Sequence, residues 1–227
     1  EEDIDRDFLF NVLYTVDCDL YIKALTNVRS CISIIGMVCS MIEMKESVNK
    51  KNHSWRVGAY SYLLARALCC NTQYCDILRS AAKIHDIGVV AIPDFIVQKE
   101  GDLSELEAEC MKEHTLFGHQ LLSKYPDTVF RVGAVIALSH HERYDGSGYP
   151  KGLAGDDIPF EARVVAIADV FDGLTRKKTY KPSITTEEAL AYLVQNKGVL
   201  FDPVSVDAFV TCKDELDRIV HDEYSEN

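Results

Sequence analysis

The chain has 227 residues, with 24 Lys and Arg against 36 Asp and Glu, for a formal net charge of -12. This balance, with no basic stripe, argues against a duplex nucleic-acid partner, and the lack of any run of about 18 apolar residues argues against a membrane-spanning helix. Eight cysteines without a C-x-x-C pair, mostly within apolar helical patterns, read as buried reduced thiols. With no visible secretory signal, they set the expectation of a cytoplasmic location. The missing initiator Met leads us to expect a fragment of a longer protein.

Residues 1–45 carry helical apolar patterns but none of the motifs found downstream. They are read as an N-terminal helical segment, the end of a sensory or regulatory module, and residues 46–227 as a second unit. Cys31 to Met44, interrupted by Ser33, Ser40 and Glu43, predicts a packed helix too short to cross a bilayer. The polar run from Lys45 to Asn52 separates it from His53. Val57, Tyr60, Ser61, Leu64 and Leu68 then recur at the spacing of one buried helical stripe. A second apolar helix, Ile77 to Ile84, runs into His85-Asp86 and on to Ile87-Gly88-Val89-Val90. Ser104-Glu105-Leu106-Glu107 is a capping box, which predicts one helix carrying His114, Gly118, Leu121 and Leu122 until Pro126 stops it. Val129, Val132, Val135, Ile136 and Leu138 lead to His140-His141-Glu142, and a turn-rich loop from Tyr144 to Gly152 follows. Val164 to Ile167 is apolar and β-branched but short. A second capping box, Thr185 to Glu188, opens a helix that ends at Lys197-Gly198. Strand-like alternation is scarce, so the expected fold class is all-α.

Within this framework His53, His85, Asp86, His114, His140, His141 and Asp169 stand out. A lone histidine on a helix is more often a surface or hydrogen-bonded core residue than a ligand. Here His85-Asp86, His140-His141 and Asp169 interrupt stretches that should be buried, where a polar group needs a partner, and a metal ion serves several at once. Imidazoles mixed with carboxylates suit transition metals rather than a calcium or magnesium cage. Five His and two Asp are too many for one ion that keeps an open position, but they suit two ions sharing a carboxylate. His119 and His221 have no such setting and are read as structural or solvent-facing.

The strings His85-Asp86-Ile87-Gly88, His114-Thr115-Leu116-Phe117-Gly118, His140-His141-Glu142 and Gly148-Tyr149-Pro150 resemble the HD-GYP family of cyclic-dinucleotide phosphodiesterases. The likeness runs over roughly residues 46 to 225. It implies an HD-domain helical core with additional C-terminal helices, and it makes Val164 to Ile167 the start of a helix bearing Asp169. It also implies that His53, His85, Asp86 and Asp169 hold a first metal ion, that His114, His140 and His141 hold a second, and that Asp86 bridges them. The ions would be Fe or Mn, with Ni or Zn as alternatives. The expected reaction is hydrolysis of cyclic di-GMP to linear pGpG, or onward to GMP, by a hydroxide bridging the ions, with cyclic GMP-AMP as another candidate substrate. Gly148, Tyr149 and Pro150 would position the substrate, Lys178 and Lys181 would hold its phosphates or bases, and Asp172 would orient a neighbouring group. A homodimer or a diguanylate cyclase partner is compatible with the family.

Two departures qualify the likeness. Asn49 stands where the family often has Glu, which favours two ions over three. Val89 stands where it usually has Lys, which leaves a cyclic-dinucleotide sensor of weak or no activity as the alternative. A general nucleotide phosphohydrolase is a third reading, and the Gly148-Tyr149-Pro150 block argues against it.

Overall fold

The computed structural model describes residues 35–40, 42, 45, 52–176 and 183–222. Helix α1, His53–Ala67, buries Val57, Tyr60, Ser61 and Leu64 along one stripe. Helix α2, Thr72–Ala82, starts where the Asn71 side chain accepts the Tyr74 amide and buries Cys75, Leu78 and Ala82 at the i, i+3, i+7 spacing. The chain then turns through His85 and Asp86 into a 3-10 turn, Ile87–Ala91, and a short α3, Asp94–Val97. Helices α4 (Glu105–Lys112), α5 (His114–Leu122) and α6 (Thr128–Ser139) follow. After the turn-rich loop come α7 (Phe160–Thr175), α8 (Thr186–Gln195), α9 (Pro203–Val210) and α10 (Lys213–Asp222). Both capping boxes form as expected, Ser104 with Glu107 and Thr185 with Glu188. Among the described residues no strand forms, and the only ladder contacts are isolated bridges, Asp145 to Ala154 and Lys197 to Phe201. The fold is all-α.

Helix α7 explains why Val164 to Ile167 looks strand-like in sequence. Val164, Val165, Ile167, Ala168 and Phe171 are all fully buried, because α7 packs against α1, α6, α8 and α9 at once. A helix enclosed on most sides carries a continuous apolar run instead of a stripe. Phe171 meets Tyr60 of α1 edge-to-face at 5.0 Å and Phe209 of α9 at 5.2 Å, contacts worth about 0.5–1.5 kcal/mol each beyond their burial. These contacts set the rotation of α7, and so the direction in which Asp169 and Asp172 face.

A second cluster joins Ile35, Cys39 and Ile42 to Ile84, Ile87, Leu122, Phe130 and Ala137, and the Cys39 thiol donates to the Lys83 carbonyl at 3.3 Å. Residues 35–40 are helical, in line with the packed helix expected there. The helix expected from Ser104 to Leu122 is instead two, α4 and α5, joined at Glu113. His114 Nδ1 bonds the Met111 carbonyl at 2.6 Å and the Thr115 hydroxyl donates to the Lys112 carbonyl at 2.9 Å. These side chains serve carbonyls that a continuous helix would have bonded through its backbone, and the break turns His114 toward His140.

Candidate metal centre

Four of the five candidate histidines share one arrangement. His53 Nδ1 bonds the Asp172 carboxylate at 2.7 Å, and the Nδ1 atoms of His85, His114 and His140 bond the carbonyls of Ala82, Met111 and Ile136 at 2.8, 2.6 and 3.0 Å. An acceptor at Nδ1 holds the proton there and leaves the Nε2 lone pair free, the state in which imidazole ligates a metal. All four Nε2 atoms are buried and make no hydrogen bond among the described residues. A buried polar atom without a partner costs about 1–3 kcal/mol, so four of them converging need a common partner.

The carboxylates face these nitrogens. Asp86 Oδ2 lies 3.4 Å from His85 Nε2, while Asp86 Oδ1 lies 3.4 Å from His114 Nε2 and 3.3 Å from His140 Nε2. Asp169 Oδ1 is 3.5 Å from His53 Nε2 and 3.9 Å from His85 Nε2. Such separations are too long for good hydrogen bonds. Those of 3.3–3.5 Å match the edges of a ligand set around an ion with bonds of roughly 2.0–2.2 Å, which span roughly 3–3.5 Å. Ligand atoms of Asp86, His114, His140 and His141 lie within 4.8 Å of one another, and so do those of His53, His85 and Asp169. The donor set fits divalent transition ions, and Asp86 stands between the two groups with one oxygen toward each.

The electrostatics agree. Burial alone would lower the pKa of His85, but the carboxylates of Asp86 and Asp169 outweigh it and lift it to about 9. In other words, the field at Nε2 is that of a site seeking a cation. Burial, and then the neighbouring His140, hold His141 well below the usual imidazole value, and burial also lowers His114.

Asp172 lies inside the protein, on His53 and not on an open face. It accepts from His53 Nδ1 and from Arg56 Nε and Nη2 at 2.5 and 3.1 Å, with Arg176 at 3.9 Å. Burial would raise its pKa, but the bonds from His53 and Arg56 prevail and bring it to about 2. Sequence reasoning gave no role to Arg56, although it lies three residues from His53 and so on the same helix face.

The Gly148-Tyr149-Pro150 loop is tied to the same centre. The Tyr149 amide donates to the His141 carbonyl at 3.2 Å, and its ring stacks on His141 at 4.8 Å. Buried Glu142 accepts the Lys151 and Leu153 amides at 2.8 and 3.0 Å, a pinning role that its position in the motif does not announce. A Cβ on Gly148 would come within 2.3 Å of the Arg143 nitrogen and 2.5 Å of the Glu142 Cα, so only glycine lets the loop lie this close. Burial, with the charges of Asp86 and Asp169, raises the Tyr149 phenol above its usual value, which keeps it a neutral donor. Val89 is buried. Lys178, Lys181 and Asn49 lie outside the described residues. His119 bonds the Ala134 carbonyl at 3.0 Å and His221 is exposed, and neither belongs to the ligand groups.

The HD domain family model matches residues 36–204 of the chain. The chain is 47% identical over 164 residues to the cyclic di-GMP phosphodiesterase response regulator RpfG of Xanthomonas campestris pv. campestris, a match covering 72% of this chain and 43% of that protein. It is 40% identical over 164 residues to the 3'3'-cGAMP-specific phosphodiesterase 2 of Vibrio cholerae, covering 72% of this chain and 31% of that protein. The chain thus spans less than half the length of either relative. Its fold resembles that of Bd1817, an HDG"Y"P protein from Bdellovibrio bacteriovorus, with a TM-score of 0.59, 20% identity, and coverage of 88% of this chain and 67% of that one.

Proposed function

This chain belongs to the HD domain family, in its HD-GYP branch, and on that basis we propose that it is a metal-dependent phosphodiesterase that hydrolyses cyclic di-GMP to linear pGpG. The observation that carries the proposal is Asp86, whose two oxygens face different imidazole groups, each with buried Nε2 atoms that lack hydrogen bonds. His53, His85, Asp86 and Asp169 would hold one ion and Asp86, His114, His140 and His141 the other, with Fe or Mn the best match to this mixed nitrogen and oxygen set. When bound, such ions supply Lewis-acid polarisation of the phosphodiester and a nucleophile available at neutral pH.

The residues of the chain do the rest. Asp172 holds the proton of His53 at Nδ1 and fixes its ring, while backbone carbonyls do the same for His85, His114 and His140. Tyr149, held against His141 with Gly148 and Pro150 by Glu142, positions a base or phosphate at the mouth of the site. Lys178 and Lys181 are further candidates to hold the substrate. We assign this activity to residues 46–227 and treat residues 1–45 as the end of a regulatory module. We also propose a cytoplasmic location, with a homodimer or a diguanylate cyclase as the protein partner. Cyclic GMP-AMP is the second candidate substrate.

Anaerobically purified protein incubated with each cyclic dinucleotide, with products separated and metals quantified, tests the reading. We expect about two ions per chain, pGpG from cyclic di-GMP, and loss of both ions and turnover in Asp86→Ala. Two retained ions with full turnover in that variant would refute the bridging role, and binding without product from the unaltered chain would mark a sensor.

A further inference from the structure

Val89 leaves the site without an ammonium at the position where the family usually carries one, and it is buried. A cation nevertheless stands at the mouth. Lys112, the last residue of α4, holds its Nζ 5.6 Å from the centroid of the Tyr149 ring. That ring stacks on His141 at 4.8 Å, and His141 meets His114 edge-to-face at 5.1 Å. Lys112 is therefore two ring contacts from the ligand cluster, at its solvent edge. The break at Glu113 produces this placement, because it ends α4 at Lys112 and restarts the chain with His114 facing the centre.

The present partner of Lys112 does not immobilise it. Its Nζ bonds Glu109 at 2.5 Å, but the Lys112 and Glu109 side chains are 40% and 69% exposed, and such surface pairs are worth little. An ammonium on an exposed, exchangeable partner can turn to a phosphate, to which a charge-assisted bond is stronger. The chain is strongly acidic overall, which makes a cation at this edge more consequential for an anionic ligand. A cyclic dinucleotide carries two phosphodiesters, and the metal centre engages only the one being cut. The other needs its own counter-charge.

We infer that Lys112 binds the second, uncut phosphodiester of a cyclic dinucleotide, with the Tyr149 ring spacing it from the metal centre. This rests on the phosphodiesterase reading above. Lys112 is a substrate-positioning residue, not a ligand or an acid-base group, and it favours cyclic dinucleotides over esters with one phosphate.

The test compares two substrates on the metal-loaded chain: cyclic di-GMP, and bis(p-nitrophenyl) phosphate, which has a single phosphodiester. Equilibrium binding of a hydrolysis-resistant phosphorothioate analogue of cyclic di-GMP gives a readout independent of turnover. Lys112→Ala should raise KM for cyclic di-GMP and Kd for the analogue by about tenfold. The loss in kcat/KM should be at least about fivefold larger for cyclic di-GMP than for the single ester. Lys112→Arg, which also donates to phosphate, should recover most of the affinity. Unchanged KM and Kd in Lys112→Ala, or equal losses on both substrates, would overturn the assignment while leaving the phosphodiesterase reading intact. If the unaltered chain neither binds nor cleaves any cyclic dinucleotide, that reading itself fails and the role of Lys112 falls with it.

Discussion

Asp172 joins a buried cation to a metal-ligand candidate through one carboxylate. Its negative charge is held by His53 and Arg56, and its acceptor atoms orient the His53 ring. Asp172→Asn keeps the shape but removes the charge that the Arg56 guanidinium, 4% exposed, faces through Nε and Nη2. Breaking a buried pair in this way costs about 3–5 kcal/mol. Loss of the orienting group behind a ligating histidine typically weakens metal binding about 10–100-fold. Denaturant unfolding of the metal-free variant and a metal titration of the folded one would measure the two effects separately. Wild-type values in both would show that Asp172 is a bystander.

At the scale of elements, two glycines set how closely the segments around the centre approach one another. A Cβ on Gly88 would fall 1.9 Å from the His114 carbonyl, so α5 can approach the 3-10 turn that follows Asp86 only because residue 88 lacks a side chain. Gly148 does the same for the tyrosine loop against the turn that bears His141. Gly148→Ala should push this loop outward and displace Tyr149, while the candidate ligands outside the turn that bears His140 and His141 stay in place. A shift on the order of 1 Å in a positioning group can lower turnover on the order of 100-fold, so kcat/KM should fall steeply while metal content by elemental analysis does not. A variant with normal kinetics would detach the loop from the reaction. One that loses its metals would show instead that the loop supports the ligands.

The molecule as a whole is a set of helices that converge on a polar centre enclosed by apolar packing. The candidate ligands come from α1, α5, α7 and the segments after α2 and α6. A metal bound there ties together elements far apart in the chain, and it stabilises only the folded state. Chelation should therefore lower the melting temperature, by about 10–20 °C for a chain of this size if two independent ions are each present at roughly 100 times their dissociation constants. Restoring Mn or Fe should reverse the shift. A melting temperature insensitive to chelator, with metals demonstrably removed, would argue that the centre contributes nothing to the fold.

Much of this was legible in the residues themselves. The stripe of α1 and the two capping boxes follow from local spacing, because helix periodicity and cap chemistry act within a few residues. His85, Asp86, His140, His141 and Asp169 stood out because polar groups interrupted apolar runs, a conflict visible without coordinates, while His53 and His114 were singled out with the help of the family resemblance. What tertiary structure decided was which groups meet across the chain. His53 and Asp172 are 119 residues apart, and nothing local marks Asp172 as the partner of that ring, Arg56 as a cation facing it, or Glu142 as the clasp for two amides at the end of the loop. The split at Glu113 was hidden for the same reason, and the helical state of Val164 to Ile167, which the family resemblance implied, was hidden from local spacing alone. The first depends on His114 and Thr115 side chains taking carbonyls that the backbone would otherwise use, and the second on neighbours enclosing α7 from several sides. Local chemistry names the residues able to hold a metal, whereas long-range packing selects the oxygen, the tautomer and the facing partner of each.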